Sequence, residues 1–164
     1  MKILVTGHQG YIGSVLVGQL KEQGYRVIGL DSGFFADGTF GPDPILPDRT
    51  IKKDIRCIEI GDLEGMDAVI HLAALSDDPI GELDPHLTDE INRRASTRLA
   101  QKAREAGVSR FLFSSSSSVY GLVNADVNVD ENSPTHPITA YANSKAAAER
   151  EIMRLARENF SPVV

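Results

Sequence analysis

At 164 residues the chain is sized for a single domain, and 41% hydrophobic residues are enough for a buried core. Seventeen basic against 23 acidic residues leave a net charge of -6, which argues against a nucleic-acid partner, since phosphate backbones require a basic face. No stretch is long and apolar enough to span a membrane and a single cysteine, Cys57, excludes an intrachain disulfide, so a soluble cytoplasmic protein is expected.

Residues 2–6 are a short apolar run ending at Gly7 and read as a buried strand. Ile12, Val15, Leu16 and Leu20 recur at helical spacing, predicting a helix over 11–23 closed by Gly24. A second strand is expected at 26–31. Residues 32–49, rich in Gly, Pro and Asp, read as a long loop, of a length that is usually functional or mobile. A weaker strand follows at 50–54 and a fourth at 68–72. Asp77 and Asp78, before Pro79, read as a solvated turn. Residues 85–106 predict one long helix closed by Gly107, 110–115 a fifth strand, 121–137 a second irregular segment, and 139–159 a long helix rich in Ala, Glu and Arg. Pro162-Val163-Val164 opens like another strand. Strands alternating with helices predict a doubly wound α/β architecture, a parallel sheet covered on both faces. Right-handed crossovers give the strand order 3-2-1-4-5.

Gly7-x-x-Gly10-x-x-Gly13 lies between the first strand and the first helix. Gly7 permits a tight turn, Gly10 lets backbone approach a pyrophosphate, and Gly13 lets the helix pack close to the strand. The helix N-terminus offers free N–H groups and a positive dipole end to phosphates. In that position the glycines predict a dinucleotide site in a Rossmann fold; three purely structural turn glycines are the alternative. Asp31 ends the second strand, 18 residues after Gly13. A carboxylate there accepts hydrogen bonds from both adenosine ribose hydroxyls and repels a 2′-phosphate, selecting NAD over NADP; a turn-forming Asp is the alternative. Tyr141 and Lys145 stand four apart near the start of the last predicted helix, on one face. A phenol is a poor base at neutral pH, and a neighbouring ammonium favours its ionised form.

The two-residue gap between the first glycines, the Tyr11-Ile12 that follows Gly10, the Tyr141-x-x-x-Lys145 pair and the run Ser114-Ser115-Ser116-Ser117-Ser118-Val119-Tyr120-Gly121 together resemble the extended short-chain dehydrogenase/reductases, the NAD-dependent epimerases and dehydratases of nucleotide sugars. The resemblance runs through the whole chain but takes in only the front half of the family's pattern. It implies NAD held at Gly7, Gly10, Tyr11, Ile12, Gly13 and Asp31. It implies that the Asp54 carboxylate meets the adenine amino group, that Ile55 covers the ring, and that Leu72, Ala73 and Ala74 line the cofactor. Asn92 joins this set by tying its helix to the active-site strand. His71 reads as a core or hydrogen-bonded residue rather than a catalyst.

By alignment on Val119-Tyr120-Gly121, the resemblance puts the catalytic hydroxyl on Ser116, 25 residues before Tyr141, where it orients the substrate oxygen toward the tyrosine. Tyr120 buttresses the turn. Tyr141 and Lys145 count among the cofactor contacts as well, the lysine through the nicotinamide ribose. The implied chemistry is hydride transfer at a sugar carbon. Sugar dehydratases of the family follow the catalytic hydroxyl with Asp-Glu; Ser117 and Ser118 stand there instead, favouring an epimerase or a simple oxidoreductase. The resemblance further implies a nucleotide-sugar substrate and a homodimer through helices 85–106 and 139–159. Residues 1–164 are then one NAD-binding domain without the C-terminal substrate domain, which would leave apolar sheet edge exposed. No metal site is expected. A catalytically silent NAD-binding or partner-binding module is the competing reading.

Overall fold

Aliphatic runs that are buried on both faces suit the strands of a parallel sheet, and this chain uses them so. The computed structural model describes residues 1–35, 38, 44–122 and 128–164; the remaining parts of the two irregular segments lie outside the described residues. Its strands are β1 (Lys2–Thr6), β2 (Arg26–Asp31), β3 (Arg49–Lys52), β4 (Ala68–His71), β5 (Arg110–Phe113) and β6 (Ser161–Val163). They form one sheet, ordered β3-β2-β1-β4-β5-β6, with every pairing parallel. This is the doubly wound Rossmann fold, with the expected strand order extended by β6. The order reverses at β1, which opens a crevice beyond the carboxyl ends of β1 and β4. Register aligns Leu30, Thr6, His71 and Phe113 in one row. The loops that follow β1, β2, β4 and β5 therefore leave the sheet side by side.

Helix α1 (Tyr11–Glu22) buries Gly13, Val17 and Gly18, with Leu16 and Leu20 packed beside them. Ile12 and Val15, expected on this face, are instead 59% and 61% exposed. Gly13 decides the rotation. A methyl on it would overlap the Gly7 carbonyl and approach His8 Cα to 2.6 Å, so the helix turns its smallest residue toward the turn beneath. Gly13 thus packs on the turn's backbone rather than on the strand.

Two further expectations need correction. Residues 77–106 are not a turn followed by one helix. Asp77 caps a short helix α2 (Asp78–Leu83), accepting from Ile80 N at 2.8 Å. Asp84 caps α3 (Pro85–Asp89), accepting from Leu87 N at 3.0 Å. Each cap precedes a proline in the first helical turn, where a missing N–H leaves no carbonyl unpaired. The rod continues through a π-turn, Glu90–Ala95, into α4 (Ser96–Glu105). The last helix, α5 (Ala140–Met153), is shorter than 139–159. Thr139 is its cap, and past Arg154 the chain folds back through an Arg157–Phe160 bridge to bury Phe160 ahead of β6.

The core has two layers. Leu4, Ile28, Val69, Phe111 and Phe113 meet Leu99, Ala103, Ala148 and Ile152 on the α4–α5 side. Ile3, Val5, Val27 and Ala68 meet Val17 on the α1 side. On that second side Leu112 of β5 and Val163 of β6 are 39% and 52% exposed, so no described helix covers that corner of the sheet. No helix among the described residues is long and apolar enough to cross a membrane.

His71 is locked inside the α4–α5 layer. Its Nδ1 is hydrogen-bonded to Thr6 Oγ1 at 2.6 Å and its Nε2 to Ser96 Oγ at 2.7 Å. The rings of Phe111 and Phe113 flank it, with centroids 6.1 and 5.7 Å away. Burial first, and the Lys145 charge second, push its pKa down to about 3. In acid the unfolded chain protonates this residue below ~6.5 while the native chain stays neutral, so stability falls as pH drops through that window. The expected slope is up to ~1.4 kcal/mol per pH unit. Urea midpoints measured near pH 7 and pH 5 should fall more for the wild type than for His71→Gln; an equal fall in both would contradict this assignment.

Candidate active site

The turn after β1 is held by its own backbone. Gly7, at φ 72°, donates to Leu30 O at 2.8 Å, and Gly10 N returns to Gly7 O at 3.1 Å. A methyl on Gly7 would lie 2.7 Å from Ala73 N and 2.9 Å from Ala73 Cα, so the turns after β1 and β4 touch backbone to backbone. Thr6 Oγ1 ties the two together by accepting from Ala73 N at 3.3 Å, and Leu72 N donates to Thr6 O at 3.1 Å. At the start of α1, Gly10 supplies no side-chain cap and the first turn carries no acidic residue. The first N–H groups of the helix thus face the crevice with their positive dipole end uncompensated. Tyr11 is 95% exposed at its rim. A cradle of bare glycine backbone under an uncapped helix end fits a pyrophosphate.

Asp31 stands beside this cradle. Its Oδ2 accepts from Gln9 N at 3.0 Å and its Oδ1 from Gly33 N at 2.9 Å. A carboxylate has about four acceptor sites, so capacity for two more donors remains. Asp54 caps the turn Ile55–Cys57 and grips Arg56, whose Nη2 lies 2.7 Å from Oδ2. The Arg56 side chain accordingly holds this carboxyl below its usual range. Ile55, expected to cover a ring, is 5% exposed and packs into the core. Asn92 ties its helix to the loop after β4 rather than facing the crevice. It is fully buried in the π-turn, with Oδ1 accepting from Leu75 N at 2.9 Å and Nδ2 donating to Leu75 O at 3.0 Å. It shapes the loop after β4 from beneath and offers no surface to a ligand. Leu72, Ala73 and Ala74 are half-buried against the glycine turn.

The proposed catalytic groups gather at the neighbouring strand end. Ser116 caps the turn Ser117–Tyr120, its Oγ accepting from Ser118 N at 3.2 Å. Gly121, at φ 70°, has no room for a methyl because the His136 carbonyl crosses there, and His136 N donates to Val119 O at 3.0 Å. Tyr141 sits in the first turn of α5 and is 7% exposed. Lys145 is one turn on, 3% exposed, and its Nζ donates to Ser114 O at 2.8 Å. The same ammonium lies 4.7 Å from the Phe113 ring centroid and 5.9 Å from that of Tyr141. Lys145 therefore bridges the serine loop and the tyrosine helix. Burial, opposed by Glu149, brings its pKa down to about 8, so it remains largely charged at neutral pH.

Several participants went unread in the sequence. His8 is 5% exposed, and its Nδ1 is buried without a partner among the described residues. Its ring lies where a methyl on Gly29 would be, 2.6 Å from Cγ, so Gly29 is the space His8 needs. Asp78 and Glu82 of α2 reach the tyrosine helix: Asp78 Oδ1 accepts from Thr139 Oγ1, and Glu82 Oε1 accepts from Ala140 N at 2.5 Å. An Asp-Asp-Pro sequence is a helix-start signal and would have revealed α2, though not its partners. Cys57 is exposed.

Residues 3–164 match the model of the NAD dependent epimerase/dehydratase family. A UDP-glucose 4-epimerase of Streptomyces lividans is 34% identical over an alignment of 154 positions that covers 92% of this chain and 46% of that protein. A dTDP-D-glucose 4,6-dehydratase of Mus musculus is 30% identical over an alignment of 172 positions that covers 99% of this chain and 48% of that protein. The structure of MoeE5 in complex with UDP-glucose and NAD superposes with a TM-score of 0.84 at 33% identity, covering 100% of this chain and 52% of that one. The chain thus spans about half the length of the relatives it matches.

A charged amine so deeply buried with one carbonyl partner weakens the fold. The native chain releases the Lys145 proton near 8 and the unfolded chain near ~10.4, so stability should rise with pH between those values. Lys145→Met removes the desolvation penalty. Its urea midpoint near neutral pH should correspond to a gain of roughly 1–3 kcal/mol that fades toward pH ~10 as the wild type loses its charge. A variant less stable than the wild type at neutral pH would mean that the ammonium's contacts outweigh its burial.

Proposed function

The chain belongs to the NAD dependent epimerase/dehydratase family, and we propose that it is the cofactor-binding half of a nucleotide-sugar epimerase-type oxidoreductase, carrying the acid–base residues for hydride transfer at a sugar carbon. The observation that supports this most is the Lys145 ammonium. It ties the loop of Ser116 to the helix of Tyr141, at the same edge of the sheet as the glycine cradle two strands away. NAD, when bound, supplies the hydride-accepting nicotinamide.

The residues divide the remaining work. N–H groups of the turn from Gly7 to Gly13, at the start of α1, hold the pyrophosphate, with Tyr11 and Ile12 at its rim. Asp31 takes the adenosine ribose hydroxyls on its spare lone pairs and repels a 2′-phosphate. Asp54 and the Ile55 backbone flank the adenine. Leu72 lines the cofactor, and Ala73 and Ala74 are small enough to let it pass close to β4. Ser116 hydrogen-bonds the reacting sugar oxygen, and Tyr141 removes its proton. Lys145 donates to the nicotinamide ribose and stabilises the negative charge that develops on the phenol oxygen. Ser117 and Ser118, where a dehydratase would carry an acidic pair, favour the epimerase reading within a family that contains both activities.

The same reading expects a homodimer contact through the α3–α4 rod and α5. These helices are already clasped by Glu151, which accepts from Arg93 Nη1 at 3.1 Å and Thr97 Oγ1 at 2.8 Å. They form a groove lined by Asp89, Arg93, Ala140, Ala147 and Arg150. Sedimentation equilibrium should read twice the chain mass, and a monomer at all concentrations removes this contact.

The second reading is a silent NAD-binding module, in which the same cradle holds NAD and no sugar is turned over. Calorimetric titration with NAD and NADP, followed by turnover assays on a panel of nucleotide sugars, separates the two. NAD should bind at least ~10-fold more tightly than NADP. Tyr141→Phe should lower turnover by ~10²–10⁴-fold while leaving the NAD dissociation constant within about twofold. Tight NAD binding with no turnover of any sugar decides for the silent module, and unchanged turnover in Tyr141→Phe removes the tyrosine from its role.

A further inference from the structure

We propose that Asp78 is a positioning residue that sets the spacing between Ser116 and Tyr141, by bridging the serine loop to the cap of the tyrosine helix. The inference rests on the roles given above to those two residues. In sequence Asp77 and Asp78 look like one acidic turn, but the structure separates them. Asp77 spends its carboxylate on capping α2. Asp78 turns the other way and spans two elements: its Oδ1 accepts from Thr139 Oγ1 and its Oδ2 from Ser118 Oγ at 3.4 Å.

Both hydroxyls belong to residues that are already engaged in the site. Thr139 Oγ1 accepts from Ala142 N at 3.0 Å and so caps α5 two residues before Tyr141. Ser118 N donates to Ser116 Oγ at 3.2 Å. A hydrogen-bonded chain thus runs from the Ser116 hydroxyl through Ser118 and Asp78 to the N-cap of the tyrosine helix. A carboxylate suits its centre because it only accepts. Both hydroxyl protons must point toward it, which leaves the Thr139 lone pairs free to receive Ala142 N. The rest of α2 braces the same joint. Glu82 holds Ala140 N at 2.5 Å, and a methyl on Gly81 would stand 3.0 Å from Tyr141 Cβ. Thr88 Oγ1 anchors α2 to α3 by donating to Gly81 O at 2.8 Å.

Such a strut is needed because the covalent path between the two groups is long. Ser116 and Tyr141 must meet one oxygen, and 24 residues of chain lie between them. A misplacement of ~1 Å at such a pair costs up to ~10²-fold in rate.

Asp78→Ala and Asp78→Asn test this in the 164-residue chain. Hydrogen exchange followed by mass spectrometry should show segments 114–121 and 139–146 both exchanging about tenfold faster in Asp78→Ala. Far-UV circular dichroism should be unchanged and NAD binding should stay within about twofold. Turnover number should fall roughly 10–100-fold with little change in KM. Asp78→Asn should recover most of both losses, since its amide accepts from Thr139 and donates to Ser118. Loosening of neither segment, or of only one, overturns the bridge. So does an Asn variant as slow as the Ala variant with normal exchange, because the charge rather than the geometry would then matter. If the wild-type chain turns over no sugar, the functional reading fails, and the exchange measurement alone still decides the bridge. Should Asp78→Ala not fold, Ser118→Ala, which removes one arm, carries the same expectation for exchange in both segments.

Discussion

The constraint on which the site most depends is the backbone contact between Gly7 and Ala73. Two strand ends from different parts of the chain approach until no side-chain carbon fits between them. Thr6 fastens the contact from one side through Ala73 N and His71, and the aligned ends of β1 and β4 fasten it from below. Much else follows from it. Gly13 must settle on the turn so formed, which sets the rotation of α1. That rotation sends Ile12 and Val15 away from the core and leaves the first N–H groups of the helix facing the crevice. The cradle is therefore a consequence of packing, with hydrogen bonds between backbone atoms doing the tightening.

Electrostatics on the other side of the crevice work against stability. Lys145 is buried nearly to its amine with one carbonyl and two aromatic faces for company. His71, across Phe113, is kept neutral by burial and by that same charge. A neutral imidazole avoids a second buried cation beside the first. This is the pattern of a functional site that trades fold stability for a poised charge. The remaining rigidity comes from outside the core: Asn92 clamps Leu75 on both its backbone groups, and α2 braces the start of α5.

The relatives do not by themselves choose between chemistries, because an epimerase and a dehydratase match at 34% and 30% identity. What separates them in this chain is local. Ser117 and Ser118 carry no acid, and the nearest carboxylate to Ser118 among its hydrogen-bond partners, Asp78, arrives from a different helix and is occupied by two hydroxyls. It is a joint in the scaffold. The same residues that make the serine run look like low complexity are thus distinct in position: Ser114 receives the lysine through its carbonyl, Ser116 caps a turn, and Ser118 joins α2.

Strand positions, the glycine turn and the four-residue spacing of Tyr141 and Lys145 are legible in the chain because each depends on local pattern; strand order follows from the handedness of crossovers, and Ser116 is singled out only by the family resemblance. Runs buried on both faces must be strands, glycine is required where φ is positive, and residues four apart share a helix face. Helix starts near Asp84 and Thr139 are legible too, whereas Asp77-Asp78-Pro79 reads equally well as a turn. The rest was settled only by packing. Nothing local says that Ile55 turns inward, that Arg56 claims the Asp54 carboxylate, that Asn92 is buried under Leu75, or that Asp78 reaches Thr139 across 61 residues. A side chain's partner depends on which surfaces the sheet brings together, and a sequence lists neighbours along the chain, not across it.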